Sequence, residues 1–354
     1  ASDGNTAVGY STMAGAMNAG HNNTAVGKSA MAAVTTGFSG VAVGKDALRS
    51  NTEGYQNTAV GMDALELVTT GDNNTAVGTE ALQNNIASGN TAVGKSCLQS
   101  NTSGAGNTVV GMNAGVSLVE GNYNTVVGGD AFDAGQEDSK CTAVGYQALT
   151  SADVSDTGSA VDTQNTAFGY RAGSAITSGT LNTCIGADSG LAGNLVTGTG
   201  NVLVGQFCHI SATDGDYANG FGYDVNAVAG YTTVGKAGDD IAAPHGNVTW
   251  ATVSDERVKK DIEDATAGLA FINDLRPRTF NYKNKGDLPP EFIGYEEGST
   301  EVYKNPKAQH GFIAQEVKAT IDKHSDIKDG FSMWDTREND QQRVGETAVI
   351  PILV

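Results

Sequence analysis

A short pattern of apolar and polar residues recurs along the first 240 residues of the chain. The pentapeptide N-T-A-V-G ends at Gly9, Gly27, Gly61, Gly78 and Gly94. Close variants end at Gly44, Gly111, Gly128, Gly145, Gly169, Gly186, Gly205 and Gly235. Most successive glycines are 17 residues apart, or within two residues of that spacing. A fixed period predicts a repeat architecture in which each unit stacks on its neighbours.

Each repeat carries two apolar patches. The residue before the glycine is Val, Phe or Ile, and the residue three after it is mostly Ala followed by Leu, as in Ala47-Leu48. This period is too short for a helical hairpin or a propeller blade, so we predict a mainly β chain: a parallel β-roll of about 13 coils, each with two strands of about five residues and two turns. Strand alternation places the Thr and Val of T-A-V on one face and the Ala on the other.

An asparagine recurs four residues before the glycine. One interpretation is a ladder of side-chain amides that bond from coil to coil; the other is a turn residue that tolerates a left-handed conformation. The glycine itself indicates a corner that needs positive φ or close backbone approach. The asparagines are Asn5, Asn23, Asn57, Asn74, Asn90, Asn107, Asn124, Asn165, Asn182 and Asn201.

Two stretches depart from the repeat. Residues 151–163 are an insertion that we expect to protrude as a loop, and its three aspartates match no calcium-binding motif. From about Gly215 the repeat loses register until Pro244, the first proline of the chain. We therefore predict a β-roll over residues 1–240, a neck and junction over 241–253, and a second domain over 254–354.

The composition excludes several classes of function. The formal net charge is −19, and without basic clusters the chain would repel nucleic acid and anionic membranes. No apolar run is long enough to span a bilayer, and no signal segment opens the sequence. We expect no metal and no cofactor. The four cysteines, Cys97, Cys141, Cys184 and Cys208, lack metal-type spacing and are predicted to be buried free thiols.

The sequence after residue 250 predicts a small α+β domain. Residues 265–275 and 314–321 have helical spacing, residues 279–282 alternate like a strand, and Leu288-Pro289-Pro290 predicts a loop. His310 and His324 have no potential metal ligands close by in sequence, which favours structural roles.

The N-T-A-V-G units resemble the parallel β-roll heads of trimeric autotransporter adhesins and related phage tail fibres. The resemblance covers residues 5–240 and departs from those heads in its longer period. It implies a left-handed roll and a homotrimer. Because small apolar residues occupy both faces of the predicted strands, we also expect partner chains to cover the outer face.

The last hundred residues resemble the intramolecular chaperone domain of phage tail spikes and fibres, assigned to the S74 peptidase family. Three segments carry the resemblance in the same order as in that family: Trp250 followed by S-D-E-R-V-K-K-D-I from Ser254 to Ile262, L-R-P-R-T-F-N-Y from Leu275, and G-F-I-A-Q-E-V from Gly311. The family continues into a longer C-terminal helix, which is expected to be truncated in this chain at residue 354.

The resemblance implies that the domain trimerises and folds the preceding β region and then cleaves itself free. Ser254 would be the nucleophile, Lys259 the general base, and the Ser254–Asp255 bond the bond cut. Because a serine attacking its own carbonyl carbon would close a four-membered ring, the attack geometry does not follow from the sequence. Without the resemblance, the same residues would be interpreted as a charged helix start with Ser254 as N-cap.

These features favour a virion protein: a phage tail fibre or spike component, made in the host cytoplasm, that attaches to a host-surface glycan or protein receptor. The expected activity is autoproteolysis alone, and the expected partners are two further copies and other tail proteins. Two alternatives remain. A depolymerising tail spike would need two carboxylates in an aromatic-lined groove, and a trimeric bacterial adhesin head would end in a membrane anchor.

Overall fold

The chain divides into two compact units, Ala1–Val253 and Ser254–Val354. The computed structural model describes residues 3–152, 161–191, 195–246, 269–292, 294–304, 306–324, 333–336 and 342–344.

The first unit is a parallel β-solenoid of about thirteen turns, as the repeat predicted. One short strand from each coil joins a 15-stranded sheet. Its strands are β1 Thr6–Val8, β2 Thr24–Val26, β3 Val41–Val43, β4 Thr58–Val60, β5 Thr75–Val77, β6 Thr91–Val93, β7 Thr108–Val110, β8 Thr125–Val127, β10 Thr142–Val144, β12 Thr166–Phe168, β13 Thr183–Ile185, β14 Val202–Val204, β16 Asn219–Tyr223, β18 Tyr231–Lys236 and β19 Asp239–Pro244.

Equivalent positions of the repeat lie directly beside each other in this sheet. In β4 and β5, for example, Ala59 pairs with Ala76 and Val60 with Val77. The alanines are fully buried, whereas the two valines are each 37% exposed. The predicted alternation is therefore confirmed: Ala faces the interior of the roll and Val faces outward.

The other side of most coils is built from turns. The expected second strand of about five residues is wrong for these coils, and their first strand is only three residues long, as in β4. Asp63 (φ 57°) and Leu65 (φ 50°) both have left-handed backbones, which curl the chain where an extended strand was expected. Their N–H groups still donate to neighbouring coils, Asp63 to Lys45 O at 2.9 Å and Leu65 to Ala81 O at 3.0 Å. The turn segments thus stack in register without forming strands.

The repeated glycine makes the corner at which two coils approach most closely. Gly61 has φ 143°, and a Cβ built on it would lie 2.3 Å from the carbonyl oxygen of Gly78. Both the backbone conformation and the contact exclude a side chain there.

The asparagines form the predicted ladder between coils. Asn74 N–H donates to Asn57 Oδ1 at 2.9 Å, and Asn74 Nδ2 donates to Ala87 O at 2.9 Å. The left-handed interpretation of the asparagine is wrong: positive φ occurs instead at the preceding residue, such as Gln56 (φ 55°) and Asn73 (φ 58°). The fully or almost fully buried members of the ladder are Asn23, Asn57, Asn74, Asn90, Asn107, Asn124, Asn165, Asn182 and Asn201.

Short strands outside the main sheet flank its irregular coils. β9 Asp138–Ser139 pairs with β11 Val161–Asp162 on either side of the insertion, and residues 153–160 of the predicted loop lie outside the described residues. β15 His209–Ile210 pairs with β17 Asn226–Ala227. Beyond them β18 and β19 form an antiparallel hairpin, whereas every earlier pairing in the main sheet is parallel. The predicted loss of register therefore coincides with this hairpin, which ends the sheet.

The described part of the second unit contains two helices and two antiparallel strand pairs. The elements are α1 Leu269–Asp274, β20 Arg278–Phe280, a 3-10 helix Lys285–Asp287, β21 Gln309–Gly311, α2 Ala314–Ile321, β22 Trp334–Thr336 and β23 Gln342–Val344. β20 pairs with β21, and β22 pairs with β23. The predicted helix over 314–321 is confirmed, and α1 confirms residues 269–274 of the helix predicted over 265–275.

Candidate functional site

The residues predicted to carry the chemistry, Ser254, Asp255 and Lys259, lie outside the described residues. Their dyad therefore stays a prediction. The structure describes later parts of the second unit and two surfaces of the roll.

A small apolar core holds the second unit together. Phe271 of α1 and Val317 and Ile321 of α2 are buried with Met333. Leu275, directly after α1, packs against the same core. Both helices thus use their apolar spacing to cover one cluster, which positions the strands that follow each of them.

The two downstream segments that resemble the chaperone family contact each other. Arg278, in the first segment, donates from Nε and Nη2 to the two carboxylate oxygens of Glu316, in the second, at 2.9 and 2.6 Å. The hydrogen bonds from Arg278 hold the pKa of Glu316 below its ordinary value and raise the pKa of Arg278. Residues distant in sequence are therefore brought together as parts of one folded unit.

The strand pair β20–β21 borders an aromatic cleft of about 660 Å³. Tyr282 lies edge-on to Phe280 and Tyr303, with ring centroids 5.5 and 6.2 Å apart. Lys304 Nζ lies 5.6 Å from the Tyr282 ring centroid and 5.5 Å from that of Tyr303. Such a cleft offers flat apolar faces and one positive charge. The cleft was not predictable from the motifs, because Tyr303 and Lys304 fall outside the segments that resemble the chaperone family.

The two histidines of this unit make structural contacts, as predicted. His310 Nδ1 lies 3.1 Å from Thr279 Oγ1 across the strand pair. His324 Nε2 lies 3.0 Å from an Asp274 carboxylate oxygen, and its ring packs edge-on against Phe271. Within the part of the chain that the structure describes, no three His, Cys, Asp or Glu side chains gather where they could bind a metal ion.

The outer face of the roll presents a continuous apolar column, which we call the outer stripe. Each coil contributes the last residue of T-A-V or its equivalent, and successive members are neighbours across the sheet. The exposed members are Val8, Val26, Val43, Val60, Val77, Val93, Val110, Val127, Phe168, Ile185, Phe221 and Val234. An exposed apolar patch running along a whole sheet is typical of a surface that another chain covers.

The cysteines are buried free thiols, as predicted. Burial raises the pKa of Cys97 to about 12 and that of Cys141 to about 11. Thiols that remain protonated near neutral pH are poor nucleophiles. These residues fill the core and are not candidates for catalysis.

Charged side chains also line one edge of the roll. Arg49 pairs with Glu66 at 2.6 Å, and Glu66 accepts a hydrogen bond from Gln83 at 2.8 Å. Lys45 pairs with Asp46 at 2.7 Å. Exposed pairs of this kind contribute little to stability, and they keep these carboxylates occupied.

None of the helices in the described ranges is long and apolar enough to cross a membrane.

Residues 254–326 match the family model Peptidase_S74, described as chaperone of endosialidase. The chain thus carries a β-solenoid that is followed in sequence by a chaperone-of-endosialidase domain of a peptidase family. No curated protein matches the chain, and no solved structure does.

Proposed function

We propose that the chain is a component of a phage tail fibre or tail spike that attaches to the host surface. Its second domain would assemble the roll into a homotrimer and then cleave itself at the Ser254–Asp255 bond. The observation that carries the proposal is the match of residues 254–326 to the chaperone family directly behind a solenoid with an uncovered outer face.

The outer stripe supports trimerisation. Valines that are 37% exposed, such as Val60 and Val77, recur in register on the outward face of the sheet. Burying such a column removes apolar surface from water at roughly 25 cal/mol per Å². Three copies meeting through this face would form a second apolar core between them. This matters because a thin roll buries little apolar surface by itself.

The proposed cleavage uses a serine and a lysine. Lys259 would accept the hydroxyl proton of Ser254, and a lysine that is desolvated on assembly loses its own proton more readily. Ser254 Oγ would then attack the Ser254 carbonyl carbon of a neighbouring chain, which avoids the four-membered ring of attack within one residue. The bond from that carbon to the Asp255 nitrogen would break as Lys259 returns the proton to the nitrogen, and water would then hydrolyse the ester formed on Ser254 Oγ. Cleavage would therefore require that chains have assembled. The boundary between the two compact units, after Val253, lies one peptide bond before the proposed scissile bond.

A gel of the expressed chain tests the dyad. The wild type should yield a C-terminal fragment of residues 255–354, whereas Ser254→Ala and Lys259→Ala should remain uncleaved. Lys260→Ala is the matched control, because it removes the adjacent lysine and should leave cleavage intact. The dyad is wrong if Ser254→Ala and the wild type give the same fragment in equal amounts.

Co-expression of Ser254→Ala with Lys259→Ala tests whether the pair forms between chains. A mixed trimer contains an intact lysine on one chain and an intact serine on its neighbour, so cleavage should return in part. If the mixture stays uncleaved while the wild type is cut, serine and lysine act within one chain.

A further inference from the structure

The hairpin β18–β19 takes the place of a turn segment at the end of the roll. In the coil of β12, Ala172 and Gly173 follow the corner Gly169, and Ala172 is fully buried. A Cβ built on Gly173 would lie 3.5 Å from the Ala167 Cβ, so this segment packs across the interior against its own strand. After the corner Gly235 the chain instead turns back as β19. Residues 236–246 therefore give the inner face of the hairpin no cover of this kind.

An open cleft of about 760 Å³ lies on this inner face. The hairpin lines it with two cross-strand pairs, Tyr231 with Pro244 and Thr233 with Ala242. Thr233 is only 2% exposed, so the surface that the hairpin offers comes mainly from the Tyr231 ring, Ala242 and Pro244. Val228, which is 42% exposed, adds a further apolar side chain to the lining. The cleft thus favours an apolar occupant.

The segment that follows the hairpin begins beside this cleft. Pro244 is a lining residue, and His245 and Gly246 form a turn in which Gly246 has φ 82°. The turn is attached to the roll, because His245 N–H donates to Gly230 O at 2.8 Å. The chain therefore changes direction within two residues of the cleft.

The next seven residues have the composition and the length to fill the cleft. Residues 247–253, N-V-T-W-A-T-V, belong to the first compact unit and lie outside the described residues. Because an extended chain spans about 3.3–3.6 Å per residue, Trp250 can reach up to about 14 Å from Gly246. A buried indole N–H needs an acceptor, and the carboxylates of Asp224 and Asp240 line the cleft.

We infer that residues 247–253 of the same chain dock in this cleft, with the Trp250 ring against Tyr231 and Pro244. Tethering beside the cleft gives this segment a high effective concentration, which favours it over a separate molecule. The consequence of docking rests on the proposed cleavage: Ser254, four residues after Trp250, is then held at the end of the folded roll. Cleavage thereby depends on a folded last coil.

Tryptophan fluorescence of the full chain tests the docking independently of cleavage. Trp250 and Trp334 are the two tryptophans of the chain, so Trp334→Phe combined with Ser254→Ala reports on Trp250 alone. Its emission should be shifted to the blue of that of the same protein in urea, and acrylamide should quench it less. Emission and quenching equal to those in urea would overturn the inference.

Tyr231→Ala and Val228→Glu, introduced into this reporter chain, should each shift the Trp250 emission to the red and increase its quenching. Val228 is exposed, so glutamate there should leave the core of the roll intact, as circular dichroism would verify. Tyr217→Ala is the matched control, because it removes a tyrosine that is 61% exposed and does not line the cleft. The docking is wrong if the cleft variants leave the fluorescence unchanged, or if the control changes it equally.

A monomeric reporter chain distinguishes the chain's own segment from that of a second copy. Val77→Lys places a charge in the outer stripe and opposes association of copies. Trp250 should stay protected from quenching in these monomers. A loss of protection there would overturn docking within one chain and assign the cleft to a segment of another copy.

The rate of self-cleavage, measured with Ser254 intact, tests the consequence. Tyr231→Ala should slow the appearance of the fragment 255–354, and Tyr217→Ala should not. An unchanged rate in Tyr231→Ala would overturn the link between docking and cleavage. If Trp250 is docked and the wild type stays uncleaved, the proposed cleavage fails and the docking stands. If the chain is cleaved while Trp250 is as exposed as in urea, the docking is wrong and the proposed function stands.

Discussion

Individual buried amides have opposite effects in this roll, depending on their partners. Asn107 donates from Nδ2 to Gly121 O at 2.9 Å, and its Oδ1 accepts from Asn124 N–H at 2.9 Å. Asn101, also fully buried, has no hydrogen-bond partner among the described residues for either side-chain amide atom. The neighbouring coil places Leu118 at the position equivalent to Asn101. The same residue type thus stabilises one column of the roll and weakens another.

Asn107→Ala should destabilise the roll by about 2–4 kcal/mol, because it leaves a carbonyl and an N–H group without partners in the interior. Asn101→Leu should stabilise it by about 1 kcal/mol, because it replaces unpaired polar atoms with an apolar side chain. The midpoint of urea unfolding measures both. Equal losses of stability in the two variants would contradict the stabilising role of Asn107 and the destabilising role of Asn101.

The repeated glycine is the second residue on which the coils depend. Gly61→Ala should cost at least about 2 kcal/mol, because alanine is disfavoured at positive φ and its Cβ would collide with Gly78 O. Gly129→Ala is the control: its φ lies outside the left-handed region, and the nearest atom to an added Cβ is 3.6 Å away, on the Tyr146 ring. Thermal unfolding of both variants measures the difference. If Gly61→Ala unfolds at the same temperature as Gly129→Ala, the close approach of Gly61 to Gly78 O is relaxed in solution.

At the scale of the elements, the sequence predicts one side of each coil well and the other poorly. The alternation of T-A-V and the recurrence of asparagine depend on local periodicity, so the inward Ala59 and the ladder from Asn57 were predictable. The turn side depends on backbone angles that the residue types do not favour. Leu65, for example, has φ 50° although leucine rarely adopts positive φ. Contacts between coils impose that conformation, and a single repeat does not contain them.

The candidate sites show the same division. The match over residues 254–326 follows motifs that stand in the sequence, and so it could be anticipated. The buried hydroxyl of Thr233 could not be anticipated, because only the fold shows that it has no hydrogen-bond partner among the described residues. The cleft beside Tyr303 and Lys304 likewise depends on how distant segments meet.

At the scale of the whole molecule, the outer stripe should decide the oligomeric state. Val77→Lys places a charge in the middle of the stripe and should convert the proposed trimer to monomers, since burying an unpaired charge is costly. The coil itself should still form, because Val77 points away from its core. Light scattering coupled to size-exclusion chromatography measures the mass.

Thr79→Lys is the control for this change, since the equivalent position carries Lys45 and Lys95 in other coils. This variant adds the same charge outside the stripe and should remain trimeric. Trimers of Val77→Lys would show that the copies meet through a different face.

The antiparallel hairpin at the end of the sheet has a further consequence for how the roll forms in time. Each parallel coil presents the same row of backbone N–H and C=O groups to its neighbour. One folded coil is therefore a template for the next, and folding propagates from coil to coil along the chain. β19 runs in the opposite direction to β18 and offers a different row. The stacking of equivalent parallel coils therefore ends at this strand.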